Sequence, residues 1–450
     1  MRQAILDFEG TLISPEDDDF DAHREVWNAM VDRRPALIAR CRSAADVAAA
    51  VRHARERDLE IGVKCGGHSV LGLSVPEDGL MVDLTPMDIV RVDPDTRRAV
   101  VGGGALLRHL DRAAQAHGLA TTAGNVSHTG VGGLTLGGGM GWLARQAGLA
   151  CDNVEAYTVV TADGETIRAT ATDHADLFWG LRGGGGNFGV VTEFEFRLHP
   201  VAGHALLVEL SFDAAAAVEP MRRWRDLLPD APRAATLTTD AVTVQGRPMV
   251  LIGYVWVGDP DEGMAYLRTM RSVGTPRDES VQRMSYLELQ SIGDDNHHHG
   301  MRRYAAGHYL TQLSDAAVDA FLTRGGTSAN AGTDWSRVAA GGFQAYGGAI
   351  GEVSNEDSAF SHRDALVEFF GGQTWADPAE DEERMASARA FGAVLEPYAS
   401  GVYVNALIET GEAEVRRAYG DAKLARLAAL KRQYDPENVF HLNQNIAPAR

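Results

Sequence analysis

The chain has 450 residues, of which 45% are hydrophobic and 23% charged, a balance that suits a globular core and excludes a disordered polyelectrolyte. Its 42 basic and 62 acidic residues leave a formal charge of −20, which argues against a nucleic-acid partner. No apolar run approaches the ~20 residues a membrane helix needs, so no membrane partner is expected either.

The opening residues show no long apolar stretch before the first acids, so no secretory leader is read. Cysteines occur only at 41, 65 and 151; that is no disulfide framework, and a cytoplasmic location is expected. Residues 8–34 are acidic and polar, an entry segment. A strand is predicted over 36–41, then a helix capped by Ser43 with Asp46 in its first turn and Val47, Val51 and Ala54 at helical spacing. A second strand, 59–64, runs into Gly66-Gly67-His68-Ser69. This β-α-β start puts a glycine loop at the carboxyl end of a strand, a common ligand position. Strands at 80–84, 89–93 and 98–101 precede a helix over 106–117. Further strands are expected at 154–161 and 167–169, and the alternation at 190–198 marks a half-buried strand. Beyond 200, strands at 206–211, 249–257, 306–311 and 366–375 alternate with helices around 214–227, 262–272, 314–324 and 379–397. That order suggests an antiparallel α+β domain. A strand over 402–408 and a helix to about 433 close the chain.

The 49 glycines cluster rather than repeat, at 102–104, 130–141 and 183–189. A nicotinamide site requires G-x-G-x-x-G and an acid about 20 residues on. After Gly102 and Gly104, Leu107 stands where the third glycine belongs, and no acidic strand end follows. Glycine lets backbone N–H groups approach an oxyanion closely, so three such loops suggest a long, phosphate-bearing ligand; tight turns alone are the competing account.

Lys64-Cys65-Gly66-Gly67-His68-Ser69 is similar to the R-G-G-G-H-S loop of the berberine-bridge-enzyme-like flavoproteins of the vanillyl-alcohol-oxidase family. The stretch from Thr129 to Trp142 resembles their second flavin motif. Residues 148–153 and 182–189, the Tyr403-Val404-Asn405 triplet, and segments 434–440 and 443–446 continue the likeness in order. The resemblance implies an α+β fold: a two-part, PCMH-type FAD-binding domain (1–203, core 31–200), an antiparallel-sheet substrate domain with helices on one face (204–401), and a return to the first domain (402–450). It implies an FAD-dependent oxidase acting on a small molecule, an alcohol-type secondary metabolite or carbohydrate, with amine oxidation as the alternative. Hydride passes to flavin N5, and O2 or another acceptor reoxidises the flavin. A flavin-holding protein without turnover is the third reading.

Residue by residue, His68 holds the place that carries FAD through an 8α-methyl bond, and a neutral imidazole is nucleophilic near pH 7. Relatives that add a cysteine bond carry it where this chain has Val126, so attachment at one point is expected. Cys65, Gly66, Gly67, Ser69, Gly124, Gly130, Gly132, Gly133, Gly137, Gly138 and Gly141 fall on the flavin loops. Ser127 and His128 would lie beside the ring, His128 touching flavin, touching substrate or simply packed. Val191 would present backbone to the cofactor, and Asn443 and Asn445 would close over the ring. Tyr403 and Asn405 are the catalytic candidates, both facing one side if their segment is a strand. As a base Tyr403 needs a pKa lowered from ~10. Residues 346–350 and 360–363 resemble a stretch around the family's pocket, and Glu368, Gln373, Tyr304 and His308 are candidates to line it. The triplet His297-His298-His299 lacks the i, i+4 geometry of a helical metal site, and no metal is expected.

Overall fold

A computed structural model describes residues 5–325 and 334–450; residues 1–4, the start of the segment searched for a leader, lie outside them. The β-α-β start builds a sheet in which Leu37–Arg40, Leu80–Asp83 and Ile61–Lys64 pair in parallel, with Thr11–Ile13 as an antiparallel edge. Its strands are apolar on both faces because both are covered. Ser43 caps the helix Ala44–Glu56 by accepting from the Asp46 N–H at 3.1 Å. The buried Asp46 carboxylate also accepts from the N–H groups of Glu9 (2.7 Å) and Arg42 (2.8 Å), fastening the entry segment.

A second, antiparallel sheet runs in the order Val90–Asp93, Arg98–Gly102, Val190–Arg197, Val154–Val160, Thr166–Thr170. It shares one apolar core with the helices Leu107–Gln115 and Ala175–Leu181.

The third sheet has seven antiparallel strands, in the order Asp278–Ser285, His204–Asp213, Arg247–Val257, Ala235–Val244, Ala340–Ala345, Val367–Trp375, Arg302–Leu310. Trp224, Leu267, Phe321 and Phe391 cover one face from the helices Val218–Leu227, Pro260–Met270, Asp315–Leu322 and Asp381–Leu395. The α+β class with helices on one face is therefore as expected. Register aligns Glu209, Gly253, Thr238, Gln344, Glu368 and Tyr309 in one row. Asp240, Gly342 and Phe370 form the next. Their neighbours Val208, Leu237, Phe343 and Phe369 belong to the helix-covered core, so by alternation these rows face the other way. That side meets the N-terminal half: Thr236 Oγ1 donates to Trp142 O at 3.4 Å, and Asn125 Nδ2 to Gln344 Oε1 at 3.1 Å.

The segment 402–408 is not the expected strand but a 3₁₀ turn over Val404–Ala406. Among the described residues only Gly401, just before it, bridges a strand, at Tyr309; an extended segment without a partner gains no ladder bonds, and Asn405 Nδ2 instead donates to Gly133 O (3.2 Å). The helix Glu412–Tyr434 follows. From its last turns the buried Lys431 Nζ donates to Asn187 O (2.7 Å), Asp435 Oδ2 (2.6 Å) and Phe440 O (2.8 Å), fixing the tail against the N-terminal half.

Candidate active site

The strand Ile61–Lys64 delivers residues 65–69 onto the second glycine stretch. A Cβ at Gly66 or Gly130 would overlap the other loop's backbone, so glycine here serves close approach and not turning alone. His68 lies flat on the Trp27 indole, centroids 4.8 Å apart and planes 16° apart. Its Nε2 is 2.7 Å from His128 Nδ1, and its Nδ1 is 3.5 Å from Thr129 Oγ1. His299 meets both rings. Burial, reinforced by the neighbouring imidazoles and Arg303, holds His68 well below its ordinary range; burial also lowers His128 and takes His299 to about 4. All three are neutral near pH 7. Their ring nitrogens lie within 4.8 Å of one another. Two members of the 297–299 triplet thus reach the site by tertiary contact, His299 on both imidazoles and His297 on Trp27, which sequence spacing does not reveal. Trp27 was also missed, and nothing local marks it.

The other candidates divide. Ser127 directs its hydroxyl and N–H to the Asp294 carboxylate at 2.6 and 2.9 Å. Ser69 Oγ accepts from the Leu73 N–H within a turn at 3.4 Å, and Gly124 O accepts from Gln290 Nε2 at 3.2 Å. Burial raises the Cys65 thiol to about 11, which leaves it inert. Gly67 (φ +66°) turns the histidine loop over Val26. Gly132 packs on the Gly103 carbonyl, Gly133 has open space where a Cβ would stand, Gly137 fits the Asn405 amide, Gly138 the Phe360 ring and Gly141 the Ala123 carbonyl. Val191 sits at a register shift against Val154–Val160. Asn443 donates to Phe440 O at 3.0 Å. A cavity of about 650 Å³ is bounded by Lys64, Gly66, Leu106, Arg108 and His128. Buried polar atoms without a protein partner recur on these segments: His128 Nε2, Thr135 Oγ1, Asn443 Oδ1 and Asn445 Oδ1. Such atoms are costly unless paired, and a flavin nucleotide, with ring carbonyls, N–H groups and ribityl hydroxyls, supplies the missing partners. The residues present fit FAD.

At the other end, the Tyr403 hydroxyl accepts from the Gly139 N–H at 3.0 Å and from Asn405 Nδ2 at 2.9 Å. The pair meets through the turn, not through strand alternation. The two donors favour phenolate, but burial and then the Glu368 charge outweigh them, and the Tyr403 pKa is raised. The lowered value that the base role needs is not found. Behind Tyr403, the Tyr309 and Tyr346 hydroxyls are 3.1 Å apart, and Tyr346 donates to Glu368 Oε2 at 3.0 Å. Burial pushes Glu368 up to about 7; burial and the Glu209 charge push Asp240 to about 7; burial raises Glu209. None of the three has an ion-pair partner among the described residues. Of the four lining candidates only Glu368 faces this side. Tyr304 belongs to the helix-side core, His308 stacks on Phe369, and Gln373 donates to Arg337 O. Asp240 and Glu209 carried no sequence signal, because register alone aligns them with Glu368.

A histidine held on paired glycine loops, with buried polar atoms open along the same segments, is the arrangement of a flavin-binding domain. Residues 35–170 match the family described as FAD binding domain, and residues 402–447 the family described as berberine and berberine like. The chain is 31% identical to (R)-6-hydroxynicotine oxidase of Paenarthrobacter nicotinovorans, over 98% of each protein. The solved 6-hydroxy-D-nicotine oxidase of Arthrobacter nicotinovorans superposes with a TM-score of 0.86, 29% identity and 98% coverage of both chains. Glucooligosaccharide oxidase of Acremonium strictum, whose FAD is 6-S-cysteinyl and 8α-N1-histidyl, gives 0.85 at 26% identity over 98% of this chain and 97% of that one. The chain belongs to the berberine-bridge-enzyme-like family of FAD-linked oxidases. Among the described residues no helix is long and apolar enough to cross a membrane.

Proposed function

We propose that the chain oxidises a small amine at the carbon beside nitrogen, with FAD held covalently through His68 alone. Bound FAD would supply the hydride acceptor at N5, with O2 or another acceptor taking the electrons onward. The observation that carries the amine reading is the wall of Glu209, Asp240 and Glu368, three acids facing the N-terminal half without a partner cation among the described residues. Half-buried carboxylates such as these are stabilised by a cationic ligand. Glu368, with a pKa of about 7, is suited to take the proton from an ammonium group and so free the nitrogen lone pair before hydride leaves. Tyr403, with Asn405 and the Gly139 N–H behind its hydroxyl, orients the reacting group. Val126 offers no thiol for a second bond, and Cys65 is too strongly protonated to supply one. The free state of all three cysteines supports a cytoplasmic location.

The alcohol reading favoured by the sequence keeps one support: two N–H donors on the Tyr403 oxygen, which a phenolate base would use. Anaerobic bleaching of the flavin by matched amine and alcohol pairs tests the choice. Amines are expected to bleach it, and Asp240→Asn to weaken that response. Bleaching by alcohols alone refutes the amine reading and restores Tyr403 as base.

A further inference from the structure

The acids of the sheet wall point to different places. Glu368 turns its carboxylate to the Tyr346 hydroxyl, at 3.0 Å, just past the end of the strand Ala340–Ala345. Its charge acts on Tyr309, Tyr346 and Tyr403. Asp240 turns elsewhere: its carboxylate fills the place where a Cβ at Gly342 would stand, and the charge acting on it is that of Glu209. Register sets Asp240 opposite Gly342 and Gly342 opposite Phe370, two residues along from Glu368. At ~4.8 Å per strand and ~3.4 Å per residue, the Asp240 and Glu368 backbones are about 12 Å apart along the wall. One ammonium group, with hydrogen bonds of ~2.8 Å, does not reach both carboxylates.

Phe370 completes the Asp240 end. Its cross-strand neighbours on both sides are glycines, Gly342 and Gly307. With no side chain opposite to cover it, the ring is 42% exposed on a face that looks into the molecule. Carboxylate and ring thus border one slot over Gly342. A carboxylate beside an open aromatic ring is recognition chemistry for an ammonium group. Arg303, on the same face of the strand Arg302–Leu310, is tied instead to the Trp27 and Met301 carbonyls at 2.8 and 3.1 Å. We propose that the substrate is a diamine: its reacting nitrogen lies at Glu368 and Tyr403, and a second cationic nitrogen lies over Gly342 between Asp240 and Phe370. The inference rests on the amine reading and adds to it the second charge and the spacing. Selectivity follows from the parts. A monoamine whose chain ends in a methyl group leaves Asp240 without a partner, whereas a terminal ammonium pairs with it. A terminal hydroxyl hydrogen-bonds the carboxylate but carries no charge for the ring face to attract.

The test uses the FAD-loaded full chain and three ligand series of matched chain length: α,ω-diamines, alkyl monoamines and ω-hydroxyalkylamines. Anaerobic flavin bleaching and steady-state turnover are read for each. Diamines long enough to span the two ends of the wall are expected to exceed the other two series by about tenfold in kcat/KM, with the gain in KM. Phe370→Leu and Asp240→Asn are each expected to bring the diamine-to-monoamine ratio toward one. Monoamines or hydroxyalkylamines that match the diamines at every length overturn the inference and leave the amine reading standing. A diamine preference that survives both substitutions also overturns it. Should a variant fail to fold, the wild-type ligand series decides by itself. Bleaching by alcohols alone removes the amine reading, and this inference falls with it.

Discussion

Glu368→Gln should stabilise the protein at alkaline pH while impairing amine turnover. The wild-type carboxyl moves from 4.5 unfolded to about 7 folded, chiefly because burial penalises its charge. Between those values the folded state binds the extra proton, so stability falls as pH rises. Below pH 4.5 the group is neutral in both states and carries no penalty; above 7 the penalty is complete. At about 1.36 kcal/mol per pH unit the difference is about 3 kcal/mol. Glutamine keeps an oxygen for the Tyr346 hydroxyl that now donates to Glu368 at 3.0 Å, and it does not titrate. The variant should match wild type in urea unfolding near pH 4.5, exceed it by about 3 kcal/mol at pH 8.5, and lose kcat/KM for an amine. A stability difference that does not change with pH would refute the burial argument, because a purely packing effect has no reason to follow protonation.

Lys431→Met removes a cation and three hydrogen bonds at a fully buried pair with Asp435. Unfolding should become easier by roughly 3–5 kcal/mol, the usual effect of stripping one partner from such a pair, and the tail bearing Asn443 and Asn445 should become protease-sensitive. Asp152 accepts from Arg363 at 2.7 Å and lies 3.4 Å from Arg182; Asp152→Ala strands two largely buried guanidiniums and should lower stability by a similar roughly 3–5 kcal/mol in the same denaturation assay. Val126→Cys puts a thiol where the sequence resemblance places the second bond of doubly linked relatives. In a His68→Ala background it is expected to restore acid-stable yellow colour, which peptide mass mapping would locate; a colourless precipitate would show that residue 126 does not face the ring.

Local chemistry in the chain was enough for the parts whose cause is local. Ser43 caps its helix, residues 190–198 alternate as a half-buried strand, and the glycines at 66 and 130 leave room for close backbone approach. The strand Ala340–Ala345 was not legible, since Gly341 and Gly342 have little strand preference of their own. Asp278–Ser285 is a charged edge strand without an apolar face, and Thr239 interrupts the apolar face of Ala235–Val244. Tertiary structure alone decided the site's electrostatics. Register brings Glu209, Asp240 and Glu368 to one wall, and loops far apart in sequence bring Trp27 and His299 onto His68. The reason is physical: a cap or an alternation is set by neighbours within a few residues, whereas burial and charge proximity depend on which segments meet, and a residue's pKa records only the latter.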